Sequence, residues 1–237
     1  MRALLLIVLL FVQQGWGAEV KPPTDWQLLN LNGKVKKCTI KTVTSVVVKS
    51  GMQMDIVFYE EYVFGRDGYL LSKKKYKMGD GKRKYRIYID DIVYGKYADQ
   101  TRKLTVYGAS TAIVNQGEQV WTSATSYNST DKMDTKSGTL MTTIGTCDDK
   151  GRLIREERIY SDTDQQAEKY SFVTKIDYNS KGEKESYDIV DGLKKKEDSY
   201  YIDIATKDRV GNPLKVTATD DSDRVYSTAT ITYEYHK

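Results

Sequence analysis

Four turns of one kind, Asx-x-x-Gly or Gly-x-x-Gly, divide this chain into alternating apolar and polar runs. They are Gly65-Arg66-Asp67-Gly68, Asp148-Asp149-Lys150-Gly151, Asn179-Ser180-Lys181-Gly182 and Asp208-Arg209-Val210-Gly211. An Asp or Asn opening such a turn accepts a local backbone hydrogen bond. The closing Gly tolerates a positive φ and leads into the returning strand. Between the turns, apolar side chains recur at every second position. Cys38, Ile40, Thr42, Thr44, Val46 and Val48 share one face, and Ile56, Phe58, Tyr62 and Phe64 share another. So do Tyr170, Phe172, Ile176 and Tyr178; Tyr200, Ile202 and Ile204; Leu214, Val216 and Ala218; and Val225, Ala229, Ile231, Tyr233 and Tyr235. This rhythm predicts an all-β fold: an antiparallel hairpin meander, its sheet curled or folded into two layers, with little helix.

Residues 1–17 read as a secretory signal. Arg2 precedes the short apolar stretch Leu4 to Val12, and Gly15-Trp16-Gly17 offers small residues before Ala18. The chain is therefore expected to be exported, to the periplasm or to the extracellular space or cell surface, with no transmembrane segment after processing. Residues 18–33, carrying Pro22-Pro23 and then Trp26, Leu28, Leu29 and Leu31, predict an extended lead-in that docks on one β-hairpin domain, 34–237. The clearest repeat lies in 142–220, where the turn glycines recur about every thirty residues. The chain has 37 Lys and Arg against 33 Asp and Glu, a balance that argues against a general nucleic-acid binder.

The turn sequences carry a family resemblance. Cys147-Asp148-Asp149-Lys150-Gly151-Arg152-Leu153, Tyr178-Asn179-Ser180-Lys181-Gly182, Phe64-Gly65-Arg66-Asp67-Gly68 and Asp208-Arg209-Val210-Gly211-Asn212 resemble the YD (Rhs-type) β-hairpin repeats of secreted bacterial proteins. The whole also resembles small exported β-rich proteins of uncharacterised function from Bacteroidetes-like bacteria. These resemblances imply a location and a style of fold, not an activity.

Chemistry-bearing residues are sparse. The one histidine, His236, sits beside the C-terminus, where a mobile tail holds a general base poorly. Adjacent carboxylates such as Glu60-Glu61 and Glu156-Glu157 point to opposite faces of a strand and make no dyad by themselves. Asp220, Asp221 and Asp223 are a calcium candidate, though they lack the spacing of an EF-hand. Cys38 and Cys147 are either two separate buried thiols or a disulfide worth about 4 kcal/mol on the chain-entropy model. No cofactor is implied. Trp121, Tyr107 and Tyr127 are candidates for stacking a sugar ring.

The most unusual segment is the basic hairpin 73–86. A two-residue loop would place Lys73, Lys75, Lys77, Lys82, Lys84 and Arg86 on one face, with Tyr76, Tyr85 and Ile87 docking on the core. Such a face suits an acidic polysaccharide, a lipopolysaccharide phosphate or an acidic protein. The sequence therefore points to an exported, non-enzymatic β-sheet binding module. A structural component of an envelope or surface assembly and a carbohydrate-active enzyme are the alternatives.

Overall fold

The computed structural model describes residues 21–47, 53–78, 86–107, 113–132, 139–162, 170–193 and 196–237; the expected signal, 1–17, lies outside them. One short helix, α1 (Asp25–Leu28), precedes the strands β1 (Val35–Val47), β2 (Gln53–Phe64), β3 (Leu70–Met78), β4 (Arg86–Tyr94), β5 (Thr101–Tyr107), β6 (Ile113–Ser123) and β7 (Ser126–Lys132). There follow β8 (Thr139–Cys147), β9 (Leu153–Asp162), β10 (Tyr170–Tyr178), β11 (Lys184–Asp191), β12 (Lys196–Lys207), β13 (Pro213–Asp220) and β14 (Val225–Tyr235). Each strand pairs antiparallel with its neighbours in sequence, and β1 also pairs with β14. The predicted meander is present, but its sheet closes into a barrel rather than remaining curled or two-layered. Closure removes the exposed edges that an open sheet of this size would carry.

All four predicted turns form, and they lie at the same end of the barrel as the start of β1 and the end of β14. Gly68, Gly151, Gly182 and Gly211 have φ between 79° and 93°. Asp148 Oδ1 accepts the backbone N–H groups of Lys150 and Arg152, and Asn179 and Asp208 repeat the arrangement in their own turns. Partial burial opposes ionisation of Asp148. The Arg152 N–H, the Arg152 guanidinium and the Lys150 N–H nonetheless hold its carboxyl below the usual carboxylate range.

Strand register sorts the side chains between lumen and exterior. Cys38, Tyr62 and Tyr233 lie on one level, as do Ile40 and Ile231. Ile202, Ile204, Val216 and Ala218 continue the same inner face. The alternate residues Tyr201, Asp203, Lys215, Thr230, Thr232 and Glu234 are exposed on the outside. Among the described side chains the predicted inner faces therefore hold, except at Val225; Val48 lies outside the described residues. A bulge between Ala218 and Thr219 shifts the register, leaving Val225 50% exposed. Tyr226 packs on the inner Tyr200 instead, with ring centroids 4.5 Å apart.

The lead-in is not simply extended. Thr24 caps α1 through a capping box with Gln27, and the segment crosses the lower mouth of the barrel as a plug. Two packed clusters lie above and beside it. Val35, Cys38, Phe64 and Leu70 receive Trp26 and Leu31, while Trp121, Tyr127 and Cys147 receive Leu28.

Candidate functional site

The plug is fastened by a buried ion pair. Asp25 of α1 meets Arg102 of β5 through two hydrogen bonds, Nη1 to Oδ2 at 2.7 Å and Nη2 to Oδ1 at 2.9 Å. Asp25 Oδ2 also accepts the Leu70 N–H at 2.7 Å, and Arg102 Nε donates to Gln119 Oε1 at 2.7 Å. Tyr94 and Tyr97 hold their rings against the guanidinium, 4.6 and 4.8 Å from its carbon. Arg102 is only 3% exposed, so every one of these partners offsets a large desolvation cost. Further along, Gln27 Nε2 donates to Lys150 O, Asn30 Nδ2 to Gly182 O, and the Asn32 N–H to Asn212 Oδ1. With the Trp26 N–H donating to Gly68 O at 3.2 Å, the plug thus ties together all four glycine turns. Two of those glycines are needed for its passage: a Cβ on Gly68 would lie 2.6 Å from the Trp26 ring, and one on Gly151 would lie 2.9 Å from Pro23.

The plug leaves part of the lumen empty. A cavity of 770 Å³ lies between its residues Trp26 to Asn32 and the inner faces of β1, β2 and β11–β14. Ile40, Ile202, Ile204, Val216, Ala229 and Ile231 give it an apolar wall, with Cys38, Tyr62, Tyr187 and Tyr233 beside them. Its charges are one-sided. Lys150, Arg152, Lys181, Lys184 and Lys207 line it, against a single carboxylate, Glu183, which is engaged by Lys207. Arg152 is held by Asp148 at 2.7 Å. Lys184 is enclosed by protein yet open to solvent through the cavity, and it has no ion-pair partner within 4 Å among the described residues. Burial pushes its ammonium below the ordinary lysine value, an effect that Glu156 opposes in part. The Glu156 carboxylate itself is bound to Arg158 at 2.5 Å.

The outer face is charged at mid-strand. Lys41, Lys74, Glu118, Glu157, Lys175 and Asp203 all alternate with lumenal residues and face outward. Lys37 pairs with Glu61, and Lys74 with Asp91, each at 3.2 Å, along the outside of β1–β4. Among the described residues no helix is long and apolar enough to cross a membrane. For strands the outer face decides, and a Lys or Arg facing lipid at the bilayer midplane costs about 2–4 kcal/mol.

Several predicted sites fall elsewhere. Lys73, Lys75 and Lys77 do share a face, but it is the lumenal one. Their register partners are Tyr62, Glu60 and Phe58, so Lys75 pairs with Glu60 at 3.6 Å and Lys73 lies over Tyr62. Tyr76, expected to dock on a core, is indeed buried, at 4% exposure, on the face opposite these lysines, where it stacks on Tyr59 at 5.3 Å and donates to Glu61. Arg86 pairs with Met78 and so does not oppose these lysines in register. Lys82 and Lys84 lie outside the described residues. Among the described residues, Lys73, Lys75 and Lys77 therefore do not form an outer docking face.

The calcium arrangement does not form either. Asp220 Oδ1 accepts the N–H groups of Ser222 and Arg224 in a fifth turn of the same kind, with Asp223 at φ 57° in the glycine position, and Arg224 binds Oδ2. Among the described residues no three acidic, Cys or His side chains converge as a metal site. Cys38 and Cys147 are free thiols on strands far apart around the barrel, and burial pushes both up to about 12. Trp121 is fully buried and Tyr127 nearly so, their rings 5.1 Å apart, so neither presents a surface to a sugar. His236 is not a free tail residue: its N–H donates to Lys34 O, and its ring Nε2 lies 3.2 Å from Phe64 O.

The chain matches no protein-family model and no curated protein. Among solved structures it is similar to a porin-like protein from Bacteroides vulgatus, with TM-score 0.46 and 10% identity over 84% of this chain and 98% of that one. It is also similar to a porin-like protein from Bacteroides uniformis, with TM-score 0.48 and 11% identity over 90% of this chain and all of that one. At such distances the function of this chain rests on its own two faces.

Proposed function

We propose that this chain is an exported, water-soluble, non-enzymatic β-barrel that holds an apolar small molecule in its lumen. The carrying observation is the orientation of the two-residue alternation. Ile40, Ile202, Ile204, Val216 and Ile231 point inward at a 770 Å³ cavity, while charged side chains occupy the outer face. A lipid-embedded barrel has the opposite polarity, an apolar outer band around a polar interior. A cavity of this volume is within the range that encloses small ligands, and its few polar groups against an apolar wall are the usual composition of such a site. The arginine-led signal stretch at 1–17 supports export.

The test has two arms. The processed protein should sediment as a monodisperse species in buffer without detergent, and a neutral environment-sensitive dye such as N-phenyl-1-naphthylamine should bind it with a blue shift. Ile231→Trp, which fills the cavity, should reduce dye binding while leaving the β-type circular dichroism unchanged. A protein that stays in solution only with detergent, or dye binding indifferent to Ile231→Trp, would refute the reading.

A further inference from the structure

Resting on that reading, we infer that the lumenal ligand is amphipathic, and that its head group is an anion held by Lys184 beneath a cationic mouth. Five cations and one carboxylate line the cavity in a chain whose charges are otherwise nearly balanced, so the bias belongs to this site. Two of these cations are already neutralised: Arg152 by Asp148, and Lys207 by Glu183. Lys150, Lys181 and Lys184 have no ion-pair partner within 4 Å among the described residues.

Lys184 is the one placed for contact. It stands at the start of β11, paired in register with the inner Tyr178, and the aliphatic wall of β12–β14 adjoins it across the cavity. An ammonium that lines a cavity beside an apolar wall and has no carboxylate within 4 Å is open to water or to a ligand anion. The nearby carboxylate, Glu156, is bound to Arg158 and does not pair with Lys184 directly. Lys150 and Lys181 lie on turns at the plugged end, where they draw an anion toward the mouth. The matching molecule has an acyl-type body for the Ile and Val wall and one carboxylate or phosphate for Lys184.

Calorimetry with three probes of equal chain length isolates the head group: dodecanoate, dodecyl phosphate and dodecanol. At low salt the wild type should bind at least one of the anions about ten-fold more tightly than dodecanol. Lys184→Met should abolish that preference, bringing the affinities for the anions and for dodecanol together, whereas Lys184→Arg should retain it. The double variant Lys150→Glu/Lys181→Glu should weaken binding of the anions relative to dodecanol. Equal affinity for all three probes would overturn the anionic head group while leaving the lumenal reading intact. An anion preference that survives Lys184→Met in a folded protein would overturn the assignment of Lys184. Absence of binding by every probe would remove the lumenal reading and this inference together.

Discussion

On the side of β4–β9 the lumen is filled; on the side of β11–β14 it is open. The filled side packs Trp121, Tyr127, Leu104 and Cys147 to within a few per cent of complete burial, and its one deeply buried cation, Arg102, has Asp25, Gln119 and two tyrosine rings around it. Across the lumen, Ile202, Ile204, Val216 and Ile231 are only half-buried, and Lys184, exposed where it lines the cavity, has no ion-pair partner within 4 Å among the described residues. Both walls obey the same alternation. They differ in what meets them: Asp25 and Leu28 of the plug pack into one wall, whereas the plug reaches the other through Leu31 and through Asn30 and Asn32 at the turns and leaves the cavity beside them. A chain under selection for stability alone would fill both sides alike. This asymmetry is the observation on which the proposed lumenal site rests.

Removing one charge from each side should break the comparison most visibly. Asp25→Ala strands Arg102 in a nearly water-free setting and should destabilise the barrel by about 3–5 kcal/mol in urea unfolding, also loosening the plug. Lys184→Met deletes a cavity-lining charge with no ion-pair partner among the described residues, so the empty barrel should melt at or above the wild-type temperature. Equal losses in the two variants would mean that Lys184 is structurally engaged and that the walls do not differ in kind.

Adding volume probes the same contrast less severely. A Cβ at Gly145 would lie 2.1 Å from the Tyr127 ring, so Gly145→Ala should cost about 1–3 kcal/mol. Ala229 borders the cavity, and Ala229→Leu should stabilise by about 0.5–2 kcal/mol while lowering dye capacity. Thermal melts of the two variants, moving in opposite directions, would sharpen the distinction between packed and open walls.

The pH dependence of the open side follows from Lys184. Burial lowers its folded pKa below the ordinary lysine value, so between the two pKa values the unfolded chain binds more protons than the folded one. The Lys184 contribution to stability should therefore rise with pH across that window, while the buried thiols Cys38 and Cys147, raised in the fold, contribute in the opposite direction above pH 9. Anion preference should fall across it, because the neutral amine no longer pairs. The Lys184 contribution is read as the difference between wild type and Lys184→Met in alkaline titrations followed by circular dichroism and calorimetry, a difference that should shift in favour of the wild type as pH rises.

Much of the fold was legible in the sequence because its signals are local. The Asx-x-x-Gly turns and the inner faces of β1, β2, β10 and β12–β14 need only neighbours a few residues away. Closure was not legible, since the pairing of Cys38 with Tyr233 joins the two ends of the domain and has no local mark. The lysines of β3 show why a face can be recognised but not assigned. Alternation groups Lys73, Lys75 and Lys77, yet only pairing with Phe58, Glu60 and Tyr62 turns them inward. Asp220 resembled a metal ligand because Asp223 stands where the other turns carry Gly, which concealed a fifth copy of the same turn. The cavity is the least local feature of all. Its wall is drawn from six strands and the plug, and in sequence Lys184 is one lysine in a Lys- and Glu-rich hairpin.

The two cysteines offer the finest probe of the contrast, since they share a chemistry and differ in surroundings. Burial raises both thiols to about 12, assisted by Glu60 at Cys38 and by Asp148 at Cys147, so at pH 8 few thiolates exist at either site. Access then decides the order of reaction. Cys38 borders the cavity, whereas Cys147 is packed among Trp121, Tyr127, Leu28 and Leu153. A small alkylating reagent should modify Cys38 slowly and Cys147 more slowly still, with both reacting at once in denaturant, as followed by peptide mass spectrometry. A bound lumenal ligand should retard Cys38 alone. Equal rates, or protection of both cysteines by ligand, would show that the cavity is not confined to the wall where Cys38 stands.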